Sequence, residues 1–282
     1  MNLARAAPGG TCTRGECMKF AVFLKFVFLA LLAGAAALTG CGFLNNSQSG
    51  SVPTAGNWSF VATSSVTNQV SHIGGNLTVS GNSVSSTMHS DLPCFDVSQP
   101  FTFSGTLQKN QITFTSPANA NNQVITLIAS ASSSTITGTY TVTAGGGCAA
   151  DQGNVSAALV PSMTGTWSGP IVGKGGPNVT LSMALTQAST ASTDGTYALT
   201  GNLTFANSSC SKSGTISNSF VAGSMLVING TTLEQDNVSQ GAFAFTSALL
   251  NNPASPTSMS GTYQVTGGYC KGDADTPTFT KQ

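Results

Sequence analysis

The only two histidines in the chain are His72 and His89, and His89 opens the stretch His89-Ser-Asp91-Leu-Pro-Cys94-Phe-Asp96. An imidazole, a thiol and two carboxylates this close together are the donors of a metal site, or a Cys/His pair for nucleophilic work. The plainer reading is a polar loop leading to a disulfide, and a bonded Cys94 is neither ligand nor nucleophile. Lys271-Gly-Asp273-Ala-Asp275 and Asp151-Gln-Gly-Asn154 each follow a cysteine. Their side-chain oxygens are of the type that Ca²⁺ takes, but Ca²⁺ needs six or more. A turn in which the aspartate caps its own backbone accounts for both segments without an ion. Glu234 is the only glutamate after residue 41, so the paired carboxylates of glycoside hydrolysis would have to come from scattered aspartates. No Gly-x-Ser-x-Gly elbow, phosphate-binding loop, dinucleotide fingerprint or Cys-x-x-Cys is present. The reading is therefore non-enzymatic, with no catalytic residue, metal or cofactor assigned.

The elements that carry these residues repeat with a period of two. Val179, Leu181, Met183 and Leu185 alternate with small polar residues, as do Tyr197, Leu199, Leu203 and Phe205. Phe101, Phe103 and Leu107 alternate up to Lys109-Asn110, beyond which Ile112 and Phe114 resume; Tyr140/Val142, Phe243/Phe245 and Tyr263/Val265 follow suit. One apolar face and one Ser/Thr face is the pattern of an antiparallel sheet wetted on one side. Turn residues return about every ten positions, which predicts an all-β fold built as a meander barrel or sandwich.

The chain also repeats itself on a larger scale. Gly56-Asn-Trp58-Ser matches Gly165-Thr-Trp167-Ser. Gly138-Thr-Tyr140 leading to Cys148 and Asp151 matches Gly261-Thr-Tyr263 leading to Cys270 and Asp273. Each half has one further cysteine, Cys94 and Cys210, but the second half has no histidine to match His89. The expected organisation is two tandem antiparallel β domains, 57–161 and 162–282, with bridges Cys94–Cys148 and Cys210–Cys270. Crossed pairing between halves is the alternative. Each bridge would stabilise a small domain by roughly 4 kcal/mol in the chain-entropy picture.

Charge excludes one class of partner. Only 6% of residues are charged, and after residue 41 there are five lysines, no arginine, seven aspartates and Glu234. Nucleic-acid binding leans on clustered Lys and Arg, so no nucleic-acid partner is expected.

The first 40 residues read as an export signal. Lys19 and Lys25 precede the apolar run Phe26 to Ala37, which is shorter than the ~20 residues needed to span a bilayer. Met18 is a candidate start, because residues 1–17 add nothing that such a signal needs. Leu38-Thr39-Gly40-Cys41 resembles the lipobox of bacterial lipoproteins. That resemblance implies cleavage before Cys41, diacylglycerol on its sulfur and acylation of the new amino terminus, for example with palmitate. Two or more chains give lasting membrane attachment. Gly42 after the cysteine is compatible with delivery to an outer membrane. Residues 41–56 then form the lipidated cysteine and a polar tether with a root-mean-square reach of roughly 20 Å. An exported chain folds in an oxidising setting, where the remaining four cysteines can pair.

The opening Gly-x-Trp of each half is similar to the first strand of lipocalins and avidins. There the Trp closes one end of an up-and-down barrel, often beneath an Arg from the last strand. No arginine follows residue 41 here, and the likeness implies no ligand. Taken together, the sequence predicts a membrane-anchored cell-envelope lipoprotein acting as a non-catalytic binding or structural module. A barrel lumen lined by Phe101, Phe103, Leu203 and Phe205 could hold a small apolar ligand, or those residues could simply fill a core. The alternatives are a surface adhesin-like component, suited by Ser/Thr strand faces, and a hydrolase using His89 or Asp91.

Overall fold

The computed structural model describes residues 51–282 apart from Gly175. The export signal, Cys41 and the tether up to residue 50 lie outside the described residues. No described residue is helical. The first eight strands are β1 (Gly56–Ser64), β2 (Val70–Ser80), β3 (Ser83–Ser90), β4 (Phe101–Gln108), β5 (Gln111–Thr115), β6 (Ile125–Ala131), β7 (Thr135–Val142) and β8 (Asp151–Leu159). Each pairs antiparallel with the next, and β8 returns to β1 (Trp58 opposite Leu159, Ser64 opposite Gly153), so the sheet closes into a barrel. Its registers run without a break. Of the two architectures that a period of two allows, this is the meander barrel.

The second set is β9 (Gly165–Gly173), β10 (Gly176–Gln187), β11 (Tyr197–Ala206), β12 (Ser211–Ala222), β13 (Met225–Glu234), β14 (Gln240–Leu250), β15 (Ser258–Gly267), β16 (Ala274–Asp275) and β17 (Thr278–Lys281). It follows the same meander, with the last strand of the ring split into β16 and β17. β17 pairs with β9, and β14 with β15, which closes a second barrel. The fold is all-β with two tandem antiparallel β domains.

Closure leaves the first barrel without an open edge, and the β17–β9 pairing shortens the edge in the second, which a Ser/Thr-rich sheet would otherwise offer to other chains. The alternating residues then point inward and fill the lumens. Phe103, Leu107, Ile112, Phe114 and Tyr140 sit in one buried cluster; Leu181, Met183, Leu203, Phe205 and Phe245 sit in another. Phe101 packs against the first cluster only in part. Of the four residues considered for a lumen ligand, Phe103, Leu203 and Phe205 are thus core, and Phe101 packs at its edge. Trp58 and Trp167 are fully buried and play the same part in both barrels. Each indole Nε1 donates to the carbonyl four residues back, Thr54 at 2.8 Å and Met163 at 2.9 Å. The Lys281 ammonium, from the last strand, lies 5.5 Å from the centre of the Trp167 ring. A cation therefore covers this Trp although no arginine is available, an arrangement worth about 0.5–1 kcal/mol.

Two disulfides join Cys94 to Cys148 and Cys210 to Cys270, one within each barrel. The Cys-x-x-Asp step kept in both halves does different work in each. Asp151 opens β8 and sits under the end of the barrel. There Ser64 Oγ donates to its Oδ1 and Tyr140 OH to its Oδ2, both at 2.6 Å. Burial pushes this carboxyl up, but the hydrogen bonds outweigh it and hold the group below the ordinary carboxylate range. In the second barrel the strand begins one residue later, at Ala274. Asp273 instead accepts from the Lys174 backbone N–H at 2.7 Å, in a different loop, which differs from the expected cap on its own backbone. Tyr263 lacks the hydroxyl–carboxylate contact of Tyr140. Both phenols are pushed well above 10: Tyr140 by burial and then Asp151, Tyr263 by burial and then the charges of Asp273 and Glu234.

A carboxyl with a depressed folded-state pKa contributes stability that is present above its unfolded value and lost as pH falls through the folded one. Asp151→Asn should therefore lower the melting temperature at pH 7, and the gap to wild type should narrow below about pH 4. Melting temperatures of both proteins across pH 7 to 2 check this; a constant gap contradicts it.

Candidate ligand cavity between the barrels

Only the five residues Val160 to Thr164 link β8 to β9, and they are not slack. Val160 and Met163 are buried in the second core, and Val160 N–H donates to Asn57 O at 2.7 Å. The β12–β13 turn then presses on the outside of β1 and β2. Gly223 N–H donates to Asn57 Oδ1 at 2.6 Å, and Asn57 Nδ2 donates to Gly223 O at 3.2 Å. Ser59 Oγ donates to Ser224 Oγ at 2.9 Å, and Tyr197 OH to Asn76 Oδ1 at 2.7 Å. The backbones meet where side chains are missing. Gly223 has φ +60°, and a Cβ on Gly74 would lie 2.3 Å from Ala222 O.

Beside this joint an open cavity of about 390 Å³ lies between the two barrels. Barrel one contributes His89, Asp91, Val97 and Ser98; barrel two contributes residues of β12, β13 and β14, among them Phe220, Met225, Val227, Ser247 and Leu249. The wall is mostly apolar. Its apolar residues lie on the outer face of the second barrel, which alternation would make polar. Val221, Ile228 and Leu250 belong to the core, while their neighbours Phe220, Val227 and Leu249 face the cavity. Three adjacent strands break register at this level: β12 between Ile216 and Phe220, β13 between Leu226 and Ile228, and β14 between Thr246 and Leu249. Asn218 and Ser247 take φ +50° there. Bulges re-aim side chains and recur beside functional sites, and a serine in the left-handed region carries strain.

The stretch singled out in the sequence for its chemistry forms the other wall. His89 is buried at the end of β3, not in a loop; its Nδ1 lies 2.9 Å from Val97 O and its Nε2 3.1 Å from Asp194 O. Both ring nitrogens are engaged, so neither is open to a metal or substrate. Its ring and that of Phe220 are nearly parallel, 6.4 Å apart. Asp91 pairs with His72 and not with His89 (Nδ1–Oδ2 2.9 Å). Cys94 is spent in its disulfide, and Asn121 Nδ2 donates to its carbonyl at 3.1 Å; both pin the loop that carries Val97 and Ser98. Asp96 turns onto Ser98, whose hydroxyl and N–H hold its carboxyl below the ordinary range. Across the joint, burial pushes the Asp194 carboxyl up, but hydrogen bonds from Ser192 and Thr196 outweigh it, with His89 adding to them, and hold it below that range.

The remaining sequence candidates stay apart from the cavity. Among the described residues no three His, Cys, Asp or Glu side chains converge as a metal site. Glu234 is buried without lining the cavity, and its Oε2 has no hydrogen-bond partner. The cavity's own signal was present in the sequence as three unbroken apolar runs, Phe220–Ala222, Met225–Ile228 and Ala248–Leu250. Continuous runs mark strands buried on both faces. Compared with known proteins, the chain matches no family model, no curated protein and no solved structure.

The joint yields a direct expectation. Gly74→Ala forces Ala222 and Gly223 away from β2, so one cooperative unfolding transition should split into two in scanning calorimetry. Asn57→Ala leaves the Gly223 N–H and C=O without partners and should cost about 1–3 kcal/mol. Unaltered calorimetric traces for both variants would contradict the joint.

Proposed function

We propose that this chain is a lipid-anchored, non-catalytic module of the cell envelope that binds a small apolar ligand in the cavity between its barrels. The anchor is the lipid on Cys41, and the polar segment that follows it, up to the point where Thr54 joins the first barrel, holds the barrels clear of the headgroups. The observation that carries the binding half of the reading is the apolar cavity of about 390 Å³ walled by three bulged strands. It lies in the size range of small-molecule sites, which are concave, mainly apolar and furnished with a few polar groups.

The non-catalytic half is supported by how the reactive groups are used. A nucleophile needs a base within reach, and a base needs a free nitrogen or oxygen. Cys94 is oxidised, His89 is held by two carbonyls, and Asp91 is paired with His72.

The test is the protein extracted from its own membranes. Under denaturing conditions, mass spectrometry should show acyl groups on a polypeptide that begins at Cys41. Under native conditions, wild type should carry a small organic molecule that Leu249→Trp, which fills the cavity, has lost. An unmodified amino terminus would overturn the anchor, and identical native masses for the two proteins would overturn the binding site.

A further inference from the structure

We infer that the inter-barrel cavity takes an uncharged, compact and flat apolar molecule of about a dozen non-hydrogen atoms. This rests on the reading of the cavity as the binding site and adds the chemistry of what fits it.

Charge decides the first point. None of the five lysines after residue 41 lines the cavity, and the one carboxylate that does, Asp91, is already shared by the backbone N–H and ring of His72. An anion entering an apolar site gives up its hydration and would meet no lysine or arginine here, only the Asp91 carboxylate. A cation could reach Asp91 only by displacing His72. Both nitrogens of His89 already face carbonyl oxygens, so it is no substitute partner for either sign. A neutral molecule meets none of these penalties.

Volume and shape supply the rest. At about 30 Å³ per water molecule in the liquid, the cavity has the room of roughly 13 waters, which a molecule of about a dozen non-hydrogen atoms would displace. The rings of His89 and Phe220, 6.4 Å apart and 28° from parallel, give it an aromatic side against which a planar ring can pack. The hydroxyls of Thr246 and Ser247 line it and are engaged by no protein group among the described residues, so one small polar substituent can be satisfied at the bulge.

Two probes with one ring system separate the parts of this inference: 2-naphthol and 2-naphthoate, titrated at pH 7 by calorimetry into the full-length lipidated protein, with empty detergent micelles as blank. Naphthol should bind, and naphthoate at least tenfold more weakly. Phe220→Ala should weaken naphthol about tenfold. Ser247→Lys places a cation at the cavity at a position whose positive φ Lys109 also adopts, and should raise naphthoate affinity about tenfold relative to that of naphthol. Equal affinity of wild type for both probes would overturn the charge argument and leave the cavity standing as a binding site. Binding of neither would remove the cavity reading as well.

Discussion

The carboxamide of Asn57 lies buried against the backbone of Gly223, accepting from its N–H and donating to its carbonyl, where two glycine-containing segments touch. Everything that is not internal to one barrel depends on this contact. A closed barrel has no edge to offer, and each of these two has its own separate core. Their mutual placement therefore falls to a few buried hydrogen bonds, each worth about 0.5–1.5 kcal/mol net, and to close packing around Gly74 and Gly223. The short linker helps because Val160 and Met163 are themselves buried. Fixing the barrels at this distance leaves the outer faces of β12 to β14 opposite the His89 to Ser98 wall, and the cavity is the space between.

The two halves share a plan and divide the labour. The first barrel is regular, with unbroken registers and a hydroxyl–carboxylate network, Ser64–Asp151–Tyr140, closing one end. The second spends its regularity on bulges, splits its last strand and turns Asp273 outward to a neighbouring loop. One copy provides the rigid wall and its disulfide-pinned loop; the other provides the shaped apolar surface. A single unit of this kind would expose Phe220, Met225, Val227 and Leu249 to water, so the second copy's surface makes sense only beside the first.

Much of the fold was legible because side-chain alternation has a fixed period in strands. Val179 to Leu185 and Phe101 to Phe114 identified strands, inward faces and one hairpin turn from residue type alone. The choice of barrel over sandwich was not legible, because it turns on β8 finding β1, a pairing between residues about a hundred positions apart. The candidate site was partly legible. His89 and Asp91 are of reactive types, and they line the cavity with polar atoms that are already hydrogen-bonded. The other wall left its mark in Phe220–Ala222, Met225–Ile228 and Ala248–Leu250, where alternation fails. Reading those runs as two-sided strands would have located the cavity, but nothing in them says that the covering surface comes from the other barrel. The cation over Trp167 was not legible, because the Gly-x-Trp likeness points to an arginine and Lys281 stands in its place.

The most direct measurement of the joint is ¹⁵N relaxation of the backbone amides. If the Asn57–Gly223 contact locks the barrels together, residues of β1 to β8 and of β9 to β17 should report one common overall rotational correlation time, that of the whole two-barrel body. Separate, shorter correlation times for the two sets would mean that the barrels tumble independently, and the cavity would not persist as a site.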